Sequence, residues 1–94
     1  MDMSIEAQTL EAAEPILSSD EMYRLGLEAS LGQEEAINDL DYMVVAHKWF
    51  NLAAMQGHLE ARAYRAELAQ EMTQDQIAAA QRQARNYLAQ HRPS

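Results

Sequence analysis

The chain has 94 residues, no cysteine and a formal net charge of −8, a size that suits one small domain. Without cysteine there is no disulfide framework and no thiolate metal site, and the negative charge disfavours nucleic acid as a partner. The chain is 48% hydrophobic but only 6% aromatic, so alanine, a strong helix former, supplies much of its apolar content. This composition predicts an all-α protein.

The beginning of the chain is acidic and shows no sustained hydrophobic period. Residues 1–14 contain no lysine or arginine, so they lack the basic start of a secretory signal. No stretch approaches the roughly 20 apolar residues that a membrane span requires. We therefore expect a soluble cytoplasmic protein without a membrane partner, in which residues 1–17 form an acidic, flexible arm.

The first helix should begin after Ser18. Ser18 stands three residues before Glu21, the spacing of a capping box in which two side chains satisfy the first free amides of a helix. The helix should run to Leu31 and stop at Gly32. Its buried face is expected to comprise Met22, Leu25, Gly26 and Ala29.

The second helix is predicted from Tyr42 to Gln56, with Asp39 or Asp41 as its cap. Gly57 follows the last periodic position, where a residue without a Cβ takes the left-handed conformation that ends a helix. Small neighbours leave room for the sole tryptophan, so we expect its ring in the core. The buried stripe is expected to be Tyr42, Val45, Ala46, Trp49 and Ala53.

Two further helices complete the predicted domain. The third should span Leu59 to about Met72, and Thr73 with Gln76 repeats the capping-box spacing at the start of a fourth. The third helix should bury Ala61, Tyr64, Leu68 and Met72, and the fourth Ile77, Ala80, Ala84, Tyr87, Leu88 and His91.

A Leu-Gly pair followed by a spaced Trp, Ala-Ala and Gly resembles the Sel1-like repeat, a relative of the tetratricopeptide repeat. The residues that carry this signature are Leu25, Gly26, Ala46, Trp49, Ala53, Ala54, Gly57 and Ala61. The resemblance implies that residues 18–92 form a short right-handed α/α solenoid of two antiparallel helical hairpins: one Sel1-like repeat and a degenerate capping pair. Ala29 departs from the family, which usually has tyrosine there, and the segment 33–41 is longer than the family's loop.

The sequence offers little for catalysis or metal binding. Its histidines, His47, His58 and His91, lie on different predicted elements and form no pair spaced to bind one metal ion. The acidic segment with Glu34 and Glu35 lacks the order of an EF-hand, so a solvated loop is favoured over a cation site. No phosphate-binding loop or nucleophile motif occurs. We expect neither enzymatic activity nor a cofactor.

The resemblance implies an adaptor or scaffold that binds other proteins. By analogy with related hairpins, the first helix of each pair would line the binding surface, so the expected partner-binding residues are Tyr23, Arg24, Leu27, Arg62 and Arg65. The alternative is that these are ordinary surface residues without a role in binding. A different class of function also stays open: a self-assembling structural unit that forms a homo-oligomer, or a small acidic regulator whose arm occupies its own groove.

Overall fold

The computed structural model describes residues 17–32 and 39–91. In these residues the chain forms four α-helices and no strand, which confirms the all-α prediction. The predicted arm, apart from Leu17, and the acidic segment 33–38 lie outside the described residues. The helices are α1 (Ser19–Leu31), α2 (Asp39–Met55), α3 (Leu59–Ala69) and α4 (Gln74–His91).

Capping boxes begin α1 and α4, as predicted. The Glu21 amide donates to Ser18 Oγ at 3.2 Å, and the Ser18 amide donates to Glu21 Oε1 at 3.0 Å. At α4 the Gln76 amide donates to Thr73 Oγ1 at 3.1 Å, and the Thr73 amide donates to Gln76 Oε1 at 2.8 Å. Each box satisfies amides that have no partner within their helix.

Glycine ends only one of the two helices by adopting a left-handed backbone. Gly57, after α2, has φ of 92°, which confirms the predicted turn. Gly32 follows α1 as expected but has φ of −89°, so any residue could occupy that conformation. The proposed caps Asp39 and Asp41 instead lie inside α2, which begins earlier than predicted.

Helix α3 is shorter than predicted and stops at Ala69 rather than near Met72. The amides that follow bond three residues back: Glu71 to the Leu68 carbonyl at 2.9 Å and Met72 to the Ala69 carbonyl at 3.2 Å. This tighter turn satisfies the last carbonyls of α3. It also places Met72 in a small buried cluster with Val44 and Ala80.

Helix α2 is the centre of the fold, because α1, α3 and α4 each pack against it. In contrast, α3 and α4 share few close backbone contacts with each other. The antiparallel hairpin predicted from the sequence therefore describes α1 and α2 better than α3 and α4.

Phe50, rather than Trp49, is the large side chain at the centre of the core. Phe50, Met22 and Leu52 are the largest fully buried side chains, and the Phe50 side chain is 1% exposed. Trp49 is only partly buried: its ring packs edge-on against Tyr87 at 5.3 Å. Trp49 packs against the core but is less buried than expected, because Phe50, not Trp49, faces α1. Of the other residues in the predicted buried stripe of α2, Ala46 and Ala53 are fully buried, whereas Tyr42 and Val45 are partly exposed.

Candidate protein-binding cleft between helices α1 and α3

The close approach of α1 to α2 depends on Gly26. A Cβ added to this residue would lie 2.5 Å from Cε1 and 2.6 Å from Cδ1 of Phe50, far inside van der Waals contact. The ring of Phe50 therefore fills the space that a side chain at position 26 would need. Gly26 is buried, as its place on the predicted face of α1 required.

Tyr23 and Tyr64 pack against Phe50, and His58 packs against Tyr23. We call these four residues the aromatic cluster. Tyr64 stacks on Phe50 with ring centroids 5.5 Å apart, and Tyr23 stacks on His58 at 4.3 Å. Tyr23 and Tyr64 approach to 6.0 Å in a tilted arrangement. The cluster thus connects α1, α2 and α3. Aromatic pairs of this kind stabilise a fold by more than the burial of their apolar area alone.

His58 caps α3 and ties it to α1. Its Nδ1 accepts a hydrogen bond from the Ala61 amide at 3.2 Å, and that amide is nearer than the Glu60 carboxylate at 3.6 Å. Because Nδ1 accepts, a neutral ring carries its proton on Nε2, which lies 3.2 Å from Asp20 Oδ1. One nearly buried ring therefore satisfies a free helix amide and donates to the first turn of α1.

Replacing His58 tests this capping role. His58→Ala is expected to lower the free energy of unfolding by about 1–2 kcal/mol, because the Ala61 amide loses its acceptor. His58→Asn is the matched control, since its side-chain carbonyl can accept the same bond while the stack on Tyr23 is lost. Urea unfolding should show that asparagine restores a substantial part of the loss. Equal destabilisation of the two variants would contradict the capping assignment.

An open cleft of about 150 Å³ lies beside the aromatic cluster, between α1 and α3. Tyr64 contributes the most accessible ring and is 44% exposed. Glu67 and Glu71 supply carboxylates to the cleft, and among the residues that the structure describes neither carboxylate lies within 4.0 Å of a cationic side chain. The cleft is lined by Ser30, Phe50, Tyr64, Glu67, Leu68 and Glu71.

The side of α3 that borders the cleft is acidic. Glu60, Tyr64, Glu67 and Glu71 recur every three or four positions, which places them on one side of a helix and its following turn. Burial raises the pKa of the Tyr23 hydroxyl above its usual range, and the neighbouring Tyr64 and Glu60 raise it further. The shift strengthens the preference of Tyr23 for the protonated form, in which its hydroxyl can donate a hydrogen bond.

The structure places the predicted partner-binding residues in different surroundings. Tyr23 belongs to the aromatic cluster, and Leu27 packs against the core. Arg24 lies apart, in a shallow depression with two acidic residues of α1. Arg62 is exposed, while Arg65 reaches back to α2 and donates to Asn51 Oδ1 at 2.7 Å.

None of the three arginines predicted to bind a partner lines the cleft. Arg62 and Arg65 share one side of α3, whereas Tyr64, between them in sequence, faces another side. Tyr64, which the sequence placed on the buried face of α3, is instead exposed at the cleft, whereas Arg62 and Arg65 lie on another side of the helix. The acidic residues and Ser30 were missed, although the recurrence of Glu60, Glu67 and Glu71 at helical spacing was visible in the sequence.

His47 is buried in α2 and does not take part in the cleft. It is 3% exposed, and its Nδ1 has no hydrogen-bond partner among the described residues. Burial lowers the pKa of His47 below its usual value, and the nearby charge of Arg65 lowers it further. Both effects favour the neutral form of this buried ring.

Neither a metal site nor a membrane-spanning helix is found in the described part of the chain. Residues 17–32 and 39–91 contain no group of three or more histidine, aspartate or glutamate side chains arranged to hold a metal ion. None of the helices described is long and apolar enough to cross a bilayer. Comparison with models of known protein families, with curated proteins and with solved structures finds no match to this chain.

Proposed function

We propose that this chain is a non-catalytic protein–protein interaction module, an adaptor or scaffold built on one Sel1-like repeat. Its binding surface would be the cleft between α1 and α3. The observation that carries this proposal is the half-exposed ring of Tyr64, which stands on the buried ring of Phe50 and is bordered by carboxylates. An apolar anchor within a polar rim is the usual anatomy of a protein interface.

The size and shape of the cleft favour a protein partner over a small molecule. Pockets for small ligands usually enclose about 300–1,000 Å³, whereas this cleft holds about 150 Å³ and is open to solvent. An open cleft of this size suits a side chain that belongs to a larger surface. The partner would place one or two anchoring residues there and make its other contacts along α1 and α3.

The repeat assignment is supported by local geometry. Gly26 lies against Phe50 in the contact between the first two helices, and Gly57 makes the left-handed turn that follows the second. These are the places where the resemblance requires glycine. In the proposed Sel1-like arrangement, α3 and α4 cover the end of the repeat formed by α1 and α2.

Filling the cleft tests the proposed surface. Ser30→Phe places a ring in the cleft, and Ala66→Phe, on an exposed position of α3, is the matched control. Each variant and the wild type are immobilised and exposed to an extract of the cells that express the protein, and the retained proteins are quantified. We expect the wild type and Ala66→Phe to retain the same proteins and Ser30→Phe to lose them. Equal retention by all three would place the binding surface elsewhere.

Self-assembly is the second candidate function. Large apolar side chains remain exposed at Leu31, Met55 and Leu59, and the last two flank the Gly57 turn. A second copy could cover them, since small domains often gain stability by association. Light scattering separates the candidates: a monomer favours the adaptor, and a stable dimer favours the self-assembling unit.

A further inference from the structure

The charge around the cleft indicates what kind of partner it accepts. Glu67 and Glu71 border the cleft itself, and Glu60 lies on the same side of α3. The arginines of α3 are directed elsewhere: Arg65 is engaged by Asn51, and Arg62 is on the side away from Tyr64. The whole chain also carries a net charge of −8, so the local and overall potentials have the same sign.

We propose that the cleft binds a basic segment of a protein partner, with a lysine or arginine side chain seated beside Tyr64. This inference rests on the proposed function and specifies the chemistry of its partner. The aliphatic part of the cationic side chain would lie along Leu68 and Tyr64, while its charged end would reach Glu67 and Glu71. Lysine and arginine commonly place their aliphatic part on an apolar surface and their charged end in polar surroundings.

The aromatic ring of Tyr64 and the carboxylates at the cleft both favour a cation. An aromatic ring attracts a positive charge over its face, most strongly where water is partly excluded. The carboxylates attract the same charge. Glu67 in the last turn of α3 and Glu71 in the turn that follows both line the cleft, where they can accept from a guanidinium or from neighbouring lysines. An acidic or phosphorylated segment would be repelled by the same groups, and an uncharged one would leave the carboxylates without a partner.

A defined peptide tests this inference without the natural partner. The probe is a fluorescein-labelled, helix-forming peptide of lysine, leucine and alanine, and its counterpart has glutamine at every lysine position. Fluorescence anisotropy then measures the binding of both peptides to the wild type. We expect the lysine peptide to bind at least about tenfold more tightly, with an affinity that falls as salt is added. Equal binding of the two peptides would overturn the basic-segment proposal.

Variants of the cleft locate the interaction. Glu67→Gln and Glu71→Gln should each weaken binding of the lysine peptide by about threefold, and the double variant by about tenfold. Glu28→Gln, at an exposed position of α1, removes the same charge and should change binding by less than about 1.5-fold. An equal loss in Glu28→Gln and Glu67→Gln would show attraction to the overall charge and would overturn the proposal.

The Ser30→Phe variant separates failure of this inference from failure of the proposed function. If both peptides bind equally and Ser30→Phe releases both, the cleft is a binding surface without a preference for cations. If Ser30→Phe retains the lysine peptide, that peptide binds outside the cleft, and the basic-segment proposal is wrong whatever the extract experiment shows. The proposal predicts selective binding of the lysine peptide and its loss in Ser30→Phe.

Discussion

Phe50→Ala is expected to lower the free energy of unfolding by about 3–5 kcal/mol, the largest loss that we predict for a single substitution. Its ring is 1% exposed and packs between Gly26 and the rings of Tyr23 and Tyr64. Removal leaves a cavity that the surrounding helices cannot fill without moving. Urea or guanidinium unfolding followed by far-ultraviolet circular dichroism measures the change.

Trp49→Ala is the control for this prediction. Its ring is larger than that of Phe50, but it is only partly buried and contacts Tyr87 near the surface. The loss should therefore be smaller, about 1–2 kcal/mol. A greater loss for Trp49→Ala than for Phe50→Ala would show that the tryptophan, as first expected from the sequence, is the central residue of the core.

Gly26→Ala is expected to destabilise the protein by about 2 kcal/mol, although alanine is the better helix former by about 1 kcal/mol. The new Cβ would lie 2.5 Å from the Phe50 ring, and that ring is held by its neighbours. Either the ring or the whole of α1 must shift. Chemical denaturation measures the net loss, and Gly26→Ala combined with Phe50→Leu should lose less than the sum of the two single changes.

Gly32→Ala is the matched control, because it makes the same change at the end of the same helix. Within the part of the chain that the structure describes, a Cβ built there meets no neighbouring atom within 4 Å, and φ is −89°. Alanine should therefore stabilise the protein by about 0.4–1 kcal/mol, through the lower entropy of the unfolded chain. If Gly26→Ala were as favourable as Gly32→Ala, the close contact between α1 and α2 would be contradicted.

The features that the sequence predicted correctly are those determined by near neighbours in the chain. The capping boxes of Ser18 and Thr73 depend on residues three positions apart, and the turn at Gly57 depends on one backbone conformation. Such local interactions depend little on the packing of the rest of the fold. The helix boundaries that they control, at the starts of α1 and α4 and the end of α2, were predicted to within one residue.

The core of α2 could not be predicted in the same way. Periodicity identifies a stripe on one helix, but α2 is covered by three neighbours, so its buried residues occupy more than one side. Trp49 and Phe50 are adjacent, and the ring that packs against Gly26 of α1 is that of Phe50. That decision depends on a contact between residues distant in sequence.

The arrangement of residues around the candidate cleft depends on contacts between helices in the same way. Tyr23 and Tyr64 occupy comparable places on α1 and α3, and the structure brings their rings to 6.0 Å. In the sequence-based prediction, the neighbouring arginines share one binding surface with Tyr23. A sequence pattern shows which helix carries a residue, but it does not show how that helix is rotated about its own axis in the fold. Arg65 then forms its bond with Asn51 on α2, and the acidic side of α3 is left to border the cleft.

Site-specific photocrosslinking tests the proposed binding surface most directly. A photoreactive amino acid is placed at position 30, within the cleft, or at position 66, on an exposed position of α3. The protein is then irradiated together with a partner recovered by the wild type. We predict that position 30 forms a covalent product with the partner and that position 66 does not. Crosslinking from position 66 with none from position 30 would contradict the assignment of the cleft between α1 and α3 as the surface that binds.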